Sequence, residues 1–400
     1  TYMVPPGGNT RERNRGRALW MGGYAPSNYR TMIDFVNIQS LGNAVEFGQL
    51  SGTSLGEGSE CSSSTRAIQG GGSLVNTMEF VTIANRSNTT NFGDLTVARR
   101  SLDSLSSETR GIWAGGTTNP AMSDVIDFAT IATAGNATAF GDLTYGNAYR
   151  GGIASNTRGI FINSQNDQTT DYVTIATTGD AVSFGEILTD DLGGATFSNQ
   201  IKGFRAGGAD GGTHSNQIIG MTIATTSSFF DFGDMTPTGA GTYMNGCASP
   251  TRGMIFGGAT PSTPTVIDNI QYLNMGSNGD SQDFGDLITA RKYATCLSNS
   301  TRALCACGSD GSSSIKSIEY VTMSSTGNAT NFGDATLTSS TNTSGSCSSP
   351  VRGIIAGAYP SSAHIEYVTI ATQGDGVDFG DLNYHGYYNG GLSNGHGGLG

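Results

Sequence analysis

Short apolar stretches with a period of two follow one another along the whole chain. The most regular are IDFVNIQ, MEFVTIA, IDFATIA, TDYVTIA, IIGMTIA, IQYLNMG, IEYVTMS and IEYVTIA. Alternating β-branched and aromatic residues predict half-buried strands, and no stretch shows the 3.6-residue periodicity of a helix. Each is followed by a turn, commonly Gly-Asn or Gly-Asp, and then by an FGDL-like strand. The phenylalanines heading these tetrapeptides are Phe47, Phe92, Phe140, Phe184, Phe232, Phe284, Phe332 and Phe379, at intervals of 45, 48, 44, 48, 52, 48 and 47 residues. A basic residue opens a second apolar family that tends to end in Gly-Gly: RALWMGG, RAIQGGG, RGIWAGG, RGIFINS, KGFRAGG, RGMIFGG, RALCACG and RGIIAGA. A strand of small residues, such as Ala294 to Ser298, completes the cycle.

Four short strands per repeat predict an all-β protein built as a single propeller of eight four-stranded blades. A β-solenoid is the rival repeat fold, but its coils are shorter and do not need four strands per period. The tail repeats the first-strand pattern: Leu392-Ser393-Asn394 matches Leu297-Ser298-Asn299, while the first copy lacks a clear first strand. The expectation is that about 387–394 pairs with the strand beginning at Arg17 and closes the ring. Closure would hide edges that otherwise invite aggregation. The boundaries are then an extended arm over 1–16 and the propeller over 17–400. The chain begins at Thr1, as expected of a processed or partial chain.

The repeat resembles the kelch family on identifiable residues. Gly115 and Gly116 end the second strand, Asp127 and Phe128 form the acidic-aromatic pair, Phe140 is the further aromatic, and Arg150 precedes the next blade. The likeness runs from about residue 17 to the end. Phe stands where kelch repeats usually carry Trp, and the Gly-Gly pair becomes Asn163-Ser164 in the fourth copy.

Composition narrows the function. The net charge is −12, with 20 Lys and Arg in 400 residues, and lysine occurs only at 202, 292 and 316. Such a chain lacks the basic stripe that nucleic-acid binding requires. No apolar run is long enough to suggest a membrane span, and no signal peptide is evident. Of the six cysteines, Cys61, Cys247, Cys296 and Cys347 precede the repeat arginine in four copies, while Cys305 and Cys307 are expected to share one strand face. They read as reduced, buried thiols, since no metal-ligand spacing is present.

The repeat basic residues Arg17, Arg66, Arg110, Arg158, Lys202, Arg252, Arg302 and Arg352 stand in fixed phase with Gln49, Asp94, Asp142, Glu186, Asp234, Asp286, Asp334 and Asp381. Two structural readings follow: ion-pair ladders, or Asp side chains capping their own turns. Catalysis finds little support. His214, His364, His385 and His396 occupy no common repeat position, and the Gly-x-Ser-x-Gly spellings around Ser54 and Ser393 lack the helix a nucleophile elbow needs. Gly395, Gly397 and Gly400 spell a dinucleotide fingerprint with no helix to follow. Asp210 and Asp310 each offer one carboxylate, too few for calcium. No catalytic residue, metal or cofactor is therefore expected.

Binding is expected on the variable loops after the Gly-Gly strands, about 24–31, 73–77, 117–124, 163–169, 209–217, 259–266, 309–317 and 359–364, because loops on a rigid scaffold carry recognition. Tyr24, Tyr29 and Tyr359 on those loops, and Tyr384, Tyr387 and Tyr388 in the tail, are candidates for stacking on sugars. Arg11, Arg13 and Arg15 are candidates for docking the arm on an acidic partner. The repeat text, above all YVTIATTGDA followed by an FGDL-like stretch and SPTRG, also resembles repeat proteins of marine bacteriophage virions. That resemblance implies an extracellular virion component: a tail fibre, head fibre or decoration protein that contacts other virion proteins and a host-surface glycan, and forms a homo-oligomer on the particle. A secreted bacterial lectin or adhesin and a kelch-like oxidase are the alternatives.

Overall fold

The computed structural model describes residues 17–386 apart from short connecting stretches, of which 38–43, 163–168 and 187–193 are the longest. Regular structure among the described residues is entirely β. Eight antiparallel sheets follow in chain order, one per repeat, and the first repeat adds a separate two-stranded hairpin of Tyr24–Ala25 and Asn28–Tyr29. In the third sheet the strands are Asp103–Ser106, Arg110–Ala114, Val125–Thr130 and Thr138–Asp142, each hydrogen-bonded to the next. The first sheet has three described strands, Arg17–Met21, Met32–Asn37 and Val45–Gln49. In the eighth, two short pieces, Thr341–Thr343 and Ser346–Ser348, share the first-strand place beside Arg352–Tyr359. The expected closing strand at 387–394 and the arm at 1–16 lie outside the described residues.

The chain divides into two compact units, Thr1–Ile187 and Leu188–Gly400. Within each, consecutive sheets pack face to face around shared apolar clusters. Between the second and third sheets lie Ile68, Met78, Phe92, Trp113, Ala129 and Ile131; between the third and fourth lie Ile112, Ile126, Phe140, Phe161 and Val173. In the second unit Phe204, Phe232, Ile255 and Leu273 fill the equivalent space between the fifth and sixth sheets. Both faces of an internal sheet are thereby buried. This explains why third strands carry two buried residues in succession, such as Ile126 and Asp127.

A bulge recurs between the third and fourth strands of all eight sheets. In the third sheet, Ile126 pairs with Gly141 while Asp127 pairs with Ala139, leaving Phe140 unmatched. The extra residue re-aims the strand, so that Phe140 turns inward although Thr138 and Ala139 before it are exposed. It meets Phe128 edge to face, with centroids 5.9 Å apart and planes at 81°. The same geometry joins Phe35–Phe47, Phe80–Phe92, Tyr172–Phe184, Tyr272–Phe284, Tyr320–Phe332 and Tyr367–Phe379. Such pairs contribute about 0.5–1.5 kcal/mol beyond their buried area. In the fifth sheet Gly220 takes the aromatic position, and Phe204 supplies the edge-to-face contact to Phe232 from the second strand instead.

Candidate binding surface

The repeat charges hold sheets together, in a way neither sequence expectation describes. The guanidinium of Arg110 lies 4.6 Å from the ring centre of Phe128 in its own sheet and donates to the Ile175 carbonyl of the next at 3.0 Å. Arg66, Arg252 and Arg302 repeat both contacts, reaching Ile131, Met323 and Ile370. The ladder expectation is corrected to a ring-and-carbonyl clamp: a guanidinium stacked on an aromatic face still has edge donors for a carbonyl. The FGDL aspartates are capped rather than capping. The Asp94 amide donates to Asn136 Oδ1 at 3.1 Å, the Asp142 amide to Asp180 Oδ1 at 3.1 Å and the Asp334 amide to Asp375 Oδ1 at 2.9 Å. In each case the acceptor lies on the following sheet's turn. Its glycine donates back: Gly135 to the Phe92 carbonyl at 2.6 Å, Gly179 to Phe140 at 2.8 Å and Gly374 to Phe332 at 2.8 Å.

A second set of charges is buried. Asp127, Asp171, Glu319 and Glu366 sit on third strands at 0–1 % exposure. They accept hydrogen bonds from the segment following the preceding sheet's FGDL strand: Thr96 Oγ1 to Asp127 at 2.6 Å, Thr144 Oγ1 to Asp171 at 2.6 Å, the Ile288 amide to Glu319 at 2.7 Å and Thr336 Oγ1 to Glu366 at 2.7 Å. Two of them also pair with wholly buried arginines. Arg99 lies 2.7 Å from Asp127 and donates to the Gly115 carbonyl at 2.8 Å and the Trp113 carbonyl at 3.2 Å; Arg291 pairs with Glu319 and donates to the Cys307 and Ser317 carbonyls at 3.1 and 2.8 Å. Sequence reasoning does not single out Arg99 and Arg291. The only signal for them is the shared Ala-Arg of TVARR and ITARK, at one phase of two repeats.

The candidate residues fall in several places. All eight FGDL phenylalanines are buried at 2–4 % exposure, as packing anchors. Tyr24 and Tyr29 are register partners across a two-residue hairpin. Tyr359 ends the second strand of the eighth sheet, opposite Thr341, and Tyr384 lies on its fourth strand. Tyr387, Tyr388, Arg11, Arg13, Arg15, Ser54 and Ser393 are outside the described residues. Asp310 folds onto its own hairpin, accepting from the Ser312 and Ser313 amides at 2.7 and 2.6 Å, and these bonds hold its carboxyl below the usual range. Cys305 and Cys307 do not share a face. Cys307 lies past the strand end with φ at +60°, in the place of the first glycine of Gly-Gly, and packs toward the eighth sheet while Cys305 packs toward the sixth. Burial pushes the Cys61 and Cys307 thiols up, consistent with small core hydrophobes.

His364 is the one histidine in a polar constellation among the described residues. Its Nε2 is 2.9 Å from Thr336 Oγ1 and its Nδ1 3.6 Å from Asp381. The Thr336 hydroxyl proton is committed to buried Glu366, the same kind of bond that Thr96 and Thr144 make elsewhere.

Two local features lie on the sixth and seventh sheets. A cavity of about 230 Å³ on the sixth sheet is lined by Arg252, Tyr272, Asn274, Asn278, Asp280 and Gln282. At the loop end of the sixth and seventh sheets, Tyr243 and Tyr293 meet with ring centres 4.5 Å apart and planes at 43°. Lys292 Nζ lies 5.9 and 5.4 Å from the two ring centres.

No family model matches the chain, and no curated protein matches it. Among solved structures, that of YjhT aligns at 12 % identity over 69 % of this chain and 96 % of its own, with a TM-score of 0.40. A likeness of that size carries no argument about this chain.

Proposed function

We propose that the protein is a non-enzymatic structural component of a virion, and that it recognises a host-surface glycan through the loops between the second and third strands. In this reading the eight sheets are kelch-like blades of one closed propeller, the tail at about 387–394 completes the first blade, and the arm bearing Arg11, Arg13 and Arg15 docks on other virion proteins. The observation that supports it best is the division of labour along each repeat. Recurring arginines are taken up by ring and carbonyl contacts within and between sheets, as with Arg110 on Phe128 and the Ile175 carbonyl. What differs from repeat to repeat is the connection between the second and third strands. It is a bridged hairpin at Thr117–Met122, at Ala259–Val266 and at Ser309–Ser314, and continuous long strands at Lys202–Asp210 and Thr213–Thr222. A fixed framework with variable loops at one strand end suits recognition.

The test has two arms. Mass spectrometry and imaging of purified particles should find the protein at symmetric positions; its absence from particles would remove the virion assignment in favour of a secreted adhesin. A glycan array probed with the full chain should give a restricted binding pattern. Silence across the array would remove the attachment role, and bound copper with oxidase turnover would replace it with an enzyme.

A further inference from the structure

The sixth and seventh sheets carry a surface feature that the framework does not require. Tyr243 and Tyr293 stand at the same repeat position, just ahead of the first strands Asn245–Ala248 and Thr295–Ser298. Their backbones are in the left-handed region, φ +56° and +57°, as is Ser101 at that position in the third sheet, φ +52°. Left-handed φ is uncommon for residues other than Gly, Asn and Asp, and costs on the order of a few-fold to a hundredfold in conformational population for a bulky side chain. Packing does not account for tyrosine here, because Tyr243 remains 45 % exposed.

The segment is nonetheless rigid. Thr242 and Ala259 exchange backbone hydrogen bonds at 3.0 and 2.9 Å, Lys292 and Ser309 do so at 3.0 and 2.9 Å, and the Tyr293 amide donates to the Tyr243 carbonyl at 3.1 Å. These bonds tie the tyrosines to the connections after the second strands of both sheets. The result is two adjoining aromatic rings, with the Lys292 ammonium held beside both.

We infer that Tyr243, Tyr293 and Lys292 form a subsite for the pyranose ring of a saccharide. The inference rests on the glycan-recognition reading above and extends its contact surface to the segments ahead of the first strands, which are hydrogen-bonded to the loops between the second and third strands. Aromatic faces carry negative quadrupole density that attracts the polarised C–H face of a sugar, while the phenol hydroxyls and the ammonium donate to sugar oxygens. Other occupants fit less well. An organic cation would meet Lys292 as a like charge. A nucleic acid would approach a chain of net charge −12 with one lysine on the platform. The geometry is that of a preorganised site, since the backbone bonds already fix the rings.

Saturation-transfer NMR on the full chain with methyl glycosides of glucose, galactose, mannose and N-acetylglucosamine tests this. Wild type should transfer to the ring C–H protons of at least one glycoside. The Tyr243→Asn, Tyr293→Asn double variant suits the left-handed backbone, so it should match wild type in melting temperature while losing at least tenfold in affinity. Lys292→Gln should weaken binding several-fold with the transfer pattern retained. No transfer to wild type from any glycoside overturns the subsite. Equal transfer in the double variant also overturns it, and if array binding persists in that variant the attachment reading survives without this subsite. An array silent for wild type would remove the attachment reading itself.

Discussion

Gly141 packs so closely on Gly179 of the following sheet that a Cβ atom on Gly141 would lie 2.4 Å from that residue's backbone. The contact recurs as Gly93 on Gly135, Gly233 on Gly279, Gly285 on Gly327 and Gly333 on Gly374, at 2.3–2.6 Å. The glycine of FGDL is thus a contact between sheets, with backbone meeting backbone where no side chain fits. Gly141→Ala should lower unfolding free energy by about 2–4 kcal/mol, combining an unfavourable positive φ with overpacking. Gly135→Ala is the control. A Cβ atom on Gly135 would meet nothing within 4 Å, and its φ is ordinary, so the variant should stay within about 0.5 kcal/mol of wild type in urea denaturation. Equal loss in both variants would show that the close approach is not what selects glycine.

The Arg99–Asp127 pair is wholly buried, and breaking it leaves a charge without its partner. Asp127→Asn and Arg99→Met should each destabilise by about 3–5 kcal/mol. The double variant should cost clearly less than the sum, because it strands no charge. A double-mutant cycle by chemical denaturation measures this coupling, and simple additivity would contradict it.

Glu60, on the first strand of the second sheet, is 4 % exposed, and neither carboxyl oxygen has a hydrogen-bond partner among the described residues. Desolvation raises its pKa to about 8. A raised carboxyl pKa means the folded state holds a proton that the unfolded chain releases above about pH 4.5. Glu60 therefore carries no ionisation-linked cost below that pH and progressively destabilises as pH rises toward 8, levelling beyond it. Glu60→Gln should match wild type near pH 4.5 and be more stable by a few kcal/mol, to order of magnitude, at about pH 8. Denaturation midpoints at the two pH values check the sign, and a pH-independent difference would contradict it.

Arg110 makes both a ring contact and an inter-sheet hydrogen bond. Arg110→Ala should cost about 1–3 kcal/mol, summing the two contributions. Arg110→Lys should recover only part of this, because an ammonium cannot lie flat on Phe128 and still present an edge to the Ile175 carbonyl. Full recovery by lysine would reduce the role to charge alone. Lys202 shows the compromise natively, sitting 5.6–5.7 Å from Phe230 and Phe232 where the arginines reach 4.5–4.7 Å.

The β class, the eight sheets and the aromatic pair in nearly every one of them are legible in the amino-acid order alone, because alternation and the FGDL text are local and every copy restates them. The third-strand acids can also be placed in phase from the text. Their burial cannot, since it depends on a segment of the neighbouring sheet about 30 residues away, as with Thr96 over Asp127. What the charges touch is settled by folding. Arg110 and Asp142 share a phase along the chain, yet one reaches a ring and a carbonyl and the other offers its amide to Asp180. The reason is that the sheets stack face to face and the bulge at Phe140 re-aims the strand. The same holds for Tyr243 and Tyr293, which are 50 residues apart in sequence and adjacent in space. Loop tyrosines can be picked out by composition, but a pair formed by stacking two sheets has no local signature.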